Sequence, residues 1–331
     1  FFECRVWLTP QCEVMHLQDV LFVISGILGT LGSLSIILVY ICAPSTRSQS
    51  REILLYLSVA DLLQSLFFCV YLGDWLKDEQ VCLAHSILGI IGAASSFLWT
   101  AVMAFYVNYS VRYPGVNLSR WYTTFFHLIC WGYPVGISYM MVTKGTMDFS
   151  YPIDDGKMGW FTCYFPTMPW TVLTYLGPLF FCWVFTVVMY TRAKFSLTRH
   201  WNDDVYSRIS QAALQELRAK FVLVPLIFIF LRIWSFVDIA LVSWYQTPGK
   251  GLIDVRGIFD PLQGFCNAIV FIGMNPIIWD RAKQELFGYA SEPMFIIKPA
   301  NGNGSQPSPT DLSSYNTFEE GSYAEGYCMS P

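Results

Sequence analysis

The stretch "CLAHSILGIIGAASSFLWTAVMAFYVNYSVR", Cys82 to Arg112, is an apolar run with Gly89, Gly92, Ala93, Ala94, Ser95 and Ser96 gathered in its middle. In lipid, helices associate through close van der Waals contact and polar hydrogen bonds, so a concentration of Gly, Ala and Ser marks a helix that several neighbours approach. A helix facing lipid carries more Leu and Ile. The run therefore predicts a membrane helix packed on many sides. Residues 83–109 would extend about 40 Å at 1.5 Å per residue, more than the roughly 30 Å of a bilayer's hydrocarbon core.

The whole chain has the same character. It is 54% hydrophobic and 13% charged, where soluble domains are about a quarter charged. Its net charge of -4 and its scattered Lys and Arg residues argue against a nucleic-acid partner. The ten cysteines show neither a dense disulfide framework nor a paired C-x-x-C pattern, so no metal site is expected.

Seven apolar segments are long enough to cross a bilayer: Leu17 to Ile41, Glu52 to Trp75, Leu83 to Tyr109, Trp121 to Val142, Pro169 to Phe195, Leu217 to Tyr245 and Gly257 to Trp279. The fold class is thus an all-α membrane protein. It is a seven-transmembrane helix bundle at 17–279 behind an extracellular segment at 1–16. A short amphipathic eighth helix is expected at 280–288 and a disordered cytoplasmic tail at 289–331, where Ser, Gly, Pro and Asn replace apolar residues. With the amino terminus outside, thirteen of the twenty Lys and Arg residues fall on the cytoplasmic side and six on the other. That bias sets the orientation in the plasma membrane.

Cys82 and Cys163 both fall on the outer side, where oxidation is permitted, and are expected to form a disulfide. Cys4 and Cys12 are candidates for a second. Cys42, Cys69, Cys130, Cys182 and Cys266 read as small buried side chains. Three ionisable residues, Asp61, Arg232 and Asp238, are expected deep inside spans, and each needs a partner because a charge at membrane depth costs at least about 2.5 kcal/mol. Ser96 and Asn275 reach toward Asp61 at a similar depth and, with Pro276, form an expected switch core. Arg232 and Asp238 are six residues apart, the wrong spacing to pair on one helix, so their partners belong to other helices or to a ligand. An outer-half ligand cavity is expected at Tyr71, His85, Gly89, Arg232, Asp238 and Gln263, a mixed set suited to a small polar molecule. Pro134, Pro178, Pro225, Pro261 and Pro276 mark places where helices bend. No catalytic constellation, phosphate loop or H-E-x-x-H motif occurs, so neither enzyme activity nor a cofactor is implied.

"SSFLWTAVMAFYVNYSV" at Ser95 to Val111, "FHLICWGYPVG" at Phe126 to Gly136, "LYLSVADLLQS" at Leu55 to Ser65 and "KFVLVPLIFIFLRIWSFV" at Lys220 to Val237 resemble animal orphan G-protein-coupled receptors. The first two, with "NPIIW" at Asn275 to Trp279, also resemble the slime-mould cyclic-AMP receptors. The resemblance covers residues 17–290. In place of the family's "GWCW" in the second outer loop the chain reads "GWFTCYF" from Gly159 to Phe165, which displaces Cys163 by two residues. The Asp-Arg-Tyr triplet of rhodopsin-like receptors is replaced by "FYVNYSVRYP", Phe105 to Pro114.

What the resemblance implies is a receptor that passes an extracellular signal to a heterotrimeric G protein. Contact with the G protein is expected at Arg112 and Arg120 near the second inner loop and at Arg218 and Lys220 beside the third. Ser and Thr residues of the tail suit phosphorylation by a receptor kinase and capture by arrestin. The competing reading is a multi-pass transporter or channel, against which stands the lack of an internal repeat between the two halves.

Overall fold

The computed structural model describes residues 17–44, 47–70, 79–113, 116–149, 164–166, 170–200, 226–241 and 250–273. The chain divides into two units, 1–289 and 290–331, the second wholly outside the described residues. Helix α1 is Leu17–Cys42, α2 Gln49–Val70 and α3 Glu79–Arg112. The fourth span is made of α4, Arg120–His127, a π turn at Leu128–Gly132, and α5, Tyr133–Thr143. A second π turn, Val172–Leu176, leads into α6, Gly177–His200. Residues 226–241 form helix α7. Then come α8, Lys250–Phe259, a 3-10 turn at Asp260–Leu262, α9, Gln263–Ala268, and a third π turn at Ile269–Gly273.

Five of these segments are long and apolar enough to cross a membrane: Val20–Cys42, Gln49–Cys69, Leu83–Arg112, Arg120–Thr143 and Val172–Ser196. They match the first five expected spans. The third is the most enclosed of the five, with 72% of an 18-residue stretch buried against 28% to 56% in the others. Ala93, Ala94, Ser95 and Ser96 are all buried, which is the role their small size predicts. Two buried rings of α3 anchor the two main packing clusters. Trp99 joins Ile36, Leu57 and Ile272. Phe97 joins Leu179, Cys182 and Phe228.

Three of the five expected prolines, Pro134, Pro178 and Pro261, lie among the described residues, each at a change of helical pitch. A proline has no N–H and its ring crowds the preceding carbonyls, so the turn before it widens. Pro134 follows the π turn at Leu128–Gly132, Pro178 follows the one at Val172–Leu176, and Pro261 lies in the 3-10 turn. In the second π turn Gly177 donates to the Val172 carbonyl, five residues back. The next carbonyl, Leu173, would need an N–H from Pro178. It accepts instead from the Tyr133 hydroxyl of α5, at 2.5 Å.

Small residues also let α1 meet the broken seventh segment. A Cβ on Gly29 would collide with the carbonyl of Pro261, and one on Gly264 with the Ser33 hydroxyl. The described residues depart from an all-helical reading at one short ladder. Strand β1, Met147–Phe149, pairs antiparallel with β2, Tyr164–Pro166. It starts from a Schellman-type end to α5, where Gly145 takes φ +60, Gly145 N–H donates to Val142 O and Thr146 N–H to Met141 O, both at 3.1 Å. Strand β2 contacts α3.

The expected Cys42 burial is corrected: it is exposed at the end of α1, while Cys130 and Cys182 are buried and Cys69 and Cys266 half-buried. Cys4, Cys12, Tyr71, Cys163, Arg218, Lys220, Pro225, Asn275, Pro276, the helix expected at 280–288 and the tail lie outside the described residues.

Candidate functional site

Asp61 of α2 is buried, with 1% of its surface exposed. Ser96 of α3 donates to its Oδ1 at 2.6 Å, and Asn267 of α9 donates to its Oδ2 at 2.8 Å. One carboxylate thus holds three helices through two charge-assisted hydrogen bonds. The Ser96 partnership is the one read from sequence. The second described partner is Asn267 of α9, eight positions before the expected Asn275, which lies outside the described residues.

A turn further along α2, Gln64 meets Arg232 of α7. Arg232 is fully buried. Its Nε and Nη2 donate to Gln263 Oε1 at 2.8 and 2.6 Å, and Nη2 also donates to Gln64 Oε1 at 2.6 Å. The guanidinium lies over the Phe97 ring, 4.9 Å from its centroid, a placement in which a desolvated cation gains from the ring's negative face. Nη1 faces Asp260 Oδ1 at 3.5 Å. Gln263 in turn donates to the Thr100 hydroxyl at 3.3 Å.

The charges continue along α7 and α8. Arg256 pairs with Asp238 at 3.2 Å and with Asp260 at 3.6 Å, the second an i,i+4 pair. Ser235 donates to Asp260 in a short hydrogen bond. Arg232, Arg256, Asp238 and Asp260 therefore form a group of two cations and two anions between α7 and the α8 to α9 segment. Opposite charges in a low-dielectric interior must be matched, since removing one partner leaves the other buried and unpaired. Gln64 and Gln263 supply neutral acceptors for Nε and Nη2 without adding charge, while Nη1 has no hydrogen-bond partner among the described residues and is balanced only by the Asp260 carboxylate.

One expectation is corrected here. Asp61, Arg232 and Asp238 are not the only deep ionisable residues, because Asp260 is 2% exposed and Arg256 joins it inside the helix. The signal was present in sequence as the i,i+4 spacing of Arg256 and Asp260, but Arg256 falls outside the segment drawn from hydropathy. Asp238 and Arg232 find their partners on other elements, as their spacing predicts.

The structure brings together only part of the expected ligand set. Arg232 and Gln263 are bonded to each other, and Asp238 is linked to them through Arg256 and Asp260. His85 and Gly89 face Phe67 of α2 instead. The His85 ring stacks on Phe67 with centroids 4.1 Å apart, its Nε2 lies 2.9 Å from the Phe67 carbonyl oxygen, and a Cβ on Gly89 would meet that same ring. Beside Thr100, Gln263 and Asn267 is a cavity of about 10 Å³, large enough for about one water molecule and no ligand.

At the other end of the bundle Arg112 closes α3 and Arg120 opens α4. Both are exposed. Between them Leu118 is held by a feature that the sequence did not reveal. Gln49 of α2 donates to the Leu118 carbonyl at 3.0 Å and accepts from its N–H at 2.8 Å, as a neighbouring strand would. Cys82 is in α3.

A sequence model described as slime mold cyclic AMP receptor matches residues 10–317. The chain is 29% identical over 287 residues to G-protein coupled receptor 157 of Mus musculus, covering 80% of this chain and 84% of that protein. It is 29% identical over 286 residues to the Homo sapiens protein of the same name, covering 80% and 82%. Against cyclic AMP receptor-like protein A of Dictyostelium discoideum the identity is 27% over 267 residues, 80% of this chain and 66% of that protein.

Proposed function

This chain belongs to the slime mold cyclic AMP receptor family, and from that premise we propose that it is a seven-span receptor which passes an extracellular signal to a heterotrimeric G protein. The observation that carries the reading is the buried polar line from Asp61 to Asp238. It ties α2, α3, α7 and the α8 to α9 segment through discrete hydrogen bonds and ion pairs. Such a core supports two packings of one bundle, and a ligand shifts the balance only by binding one packing more tightly.

In this reading α7 and the α8 to α9 segment are the outer parts of the sixth and seventh spans, and 280–288 forms the eighth helix on the cytoplasmic face. The amino terminus is outside, and the protein resides in the plasma membrane. The ligand is a small polar molecule that enters from the outer side and competes for the Arg232, Asp238 and Gln263 group, with Tyr71, His85 and Gly89 nearby. Asp61, Ser96, Asn275 and Pro276 form the switch. The G protein meets Arg112, Arg120, Arg218 and Lys220. A disulfide from Cys82 to Cys163 pins the second outer loop, a pairing supported by the contact of β2, which begins at the next residue, with α3. The tail recruits a receptor kinase and arrestin.

The deciding experiment is a panel of G-protein activation readouts on cells expressing the full chain, run first without ligand. Basal activation of one α-subunit class is expected. Asp61→Asn should reduce it while surface expression is retained, because the amide keeps the shape of the carboxylate but offers one acceptor where two donors point. A chain that activates no G protein, and that instead carries solute flux in an uptake assay, overturns the reading in favour of a transporter.

A further inference from the structure

We propose that the cleft between the fourth and fifth spans is a binding site for a glycerophospholipid, with one acyl chain lying in the cleft and the phosphate meeting Lys144. The cleft measures about 770 Å³ and is lined by Leu98, Ile129, Tyr133, Trp170, Leu173 and Phe181 among others. That volume lies within the roughly 300 to 1,000 Å³ of ligand pockets. Its lining carries no charged side chain, and the Tyr133 hydroxyl is already committed to the Leu173 carbonyl.

The cleft has an identifiable origin. Two π turns border it, with Ile129 in one and Val172 and Leu173 in the other. A π turn accommodates an additional residue and broadens the helix, which disturbs the ridges and grooves by which helices close on each other. Prolines hold both turns open. Pro134 follows the first and Pro178 follows the second.

Length and charge select the occupant. Trp170 and Phe181 are eleven positions apart on one helical segment, about 16 Å at 1.5 Å per residue. That is close to half of the roughly 30 Å hydrocarbon core, one leaflet's acyl chain. At the mouth, the exposed Lys144 places its ammonium 6.0 Å from the Trp170 ring centroid, and tryptophan is enriched at the headgroup level of membranes. An ammonium beside the opening of an apolar slot complements a phosphate attached to a hydrocarbon chain. A sterol would offer a hydroxyl in that place and draw nothing from the charge. The site requires a membrane-embedded bundle and neither signal nor G protein, so its failure would leave the receptor reading where it stands.

The test uses the full chain reconstituted in lipid nanodiscs that contain phosphatidylcholine with a photoactivatable diazirine on one acyl chain. Adducts are mapped by mass spectrometry. Labelling is expected to concentrate at Ile129, Leu173 and Phe181 over the lipid-facing Leu31 and Leu38 of α1. Leu173→Trp should fill the slot and lower the cleft signal about tenfold, the order expected when a pocket loses room for a few methylenes. Lys144→Glu should lower it about fivefold, the upper end expected for losing one exposed pairing of an ammonium with a phosphate. Lys144 is exposed, so this variant decides the matter even if Leu173→Trp does not fold. Cleft labelling no higher than at Leu31 and Leu38 overturns the site. Cleft labelling that Lys144→Glu leaves unchanged overturns the phospholipid assignment, as does stronger labelling by a diazirine sterol, and cross-links between two copies through the cleft would make it a protein interface.

Discussion

Arg232 gives two of its N–H groups to one oxygen, Oε1 of Gln263, at 2.8 and 2.6 Å. The arrangement ties α7 to α9 through a planar donor, which a lysine's single ammonium cannot reproduce while also reaching Gln64. It also explains how a cation is tolerated between helices, since the nearest acceptors are neutral amides and the charge itself is balanced by Asp260 at 3.5 Å.

Arg232→Met should therefore destabilise the purified chain in detergent by about 3 to 5 kcal/mol, the range for removing one member of a buried pair. Cys130 and Cys182 are buried thiols, so thiol-reactive dye uptake on heating reports the loss of packing. Adding Asp260→Asn to Arg232→Met should cost less than the two single changes added together, because the second substitution removes a charge the first left unmatched. Strict additivity would show that the two residues are not coupled.

The α1 contact with the seventh segment permits a paired test. Gly29→Ala places its Cβ against the Pro261 carbonyl, a backbone atom that cannot swing aside. A loss of about 1 to 3 kcal/mol is expected from such overpacking. Gly136→Ala meets nothing within 4 Å and should be neutral or stabilise its helix by up to about 1 kcal/mol. Dye-uptake melting curves that move the two variants equally would contradict the close packing at Gly29.

How far these features were legible depends on periodicity. The central position of α3 followed from the small residues at 89–96, and Asp61 with Ser96 followed from matching depths on two uninterrupted helices. Asn267 did not, because the 3-10 turn at Asp260–Leu262 and the π turn at Ile269–Gly273 flank it. Eight positions separate it from Asn275, about 12 Å on a regular helix, and a segment that changes pitch twice does not preserve the relation between position and depth. Arg256 was hidden for a related reason. Its charge placed it in a loop by hydropathy, whereas its carboxylate partners bring it inside. The Gln49 to Leu118 bonds join positions 69 apart, and no local pattern announces such a contact.

A bridge from Cys82 to Cys163 should make surface delivery sensitive to either cysteine alone. Cys82→Ser and Cys163→Ser should reduce it similarly, and the double variant no further, since a disulfide lost once cannot be lost again. Closing a loop of this length typically stabilises by about 2 to 4 kcal/mol. Peptide mapping under non-reducing conditions that recovered both thiols free would end the proposal.

The Gln49 clamp gives a prediction that requires neither ligand nor partner. Its two hydrogen bonds hold the backbone of Leu118, which is 6% exposed, while Val116 beside it is 55% exposed and Tyr113 48%. The clamp thus fixes the segment's backbone and leaves apolar side chains presented at the end of the bundle where Arg112 and Arg120 lie. Gln49→Ala removes both bonds, and Gln49→Glu keeps an acceptor for the Leu118 N–H while it loses the donor to the Leu118 carbonyl. Hydrogen–deuterium exchange should find the Leu118 amide about tenfold faster in Gln49→Ala, equivalent to about 1.4 kcal/mol of lost local protection. In Gln49→Glu the rise should be smaller, because the amide still has its acceptor. If the segment also docks the G protein, basal activation should fall in the same order, Gln49→Ala below Gln49→Glu below the wild type. Exchange at Leu118 that does not respond to Gln49→Ala would mean that the loop is held by its own packing, and the amide pair would then have no positioning role.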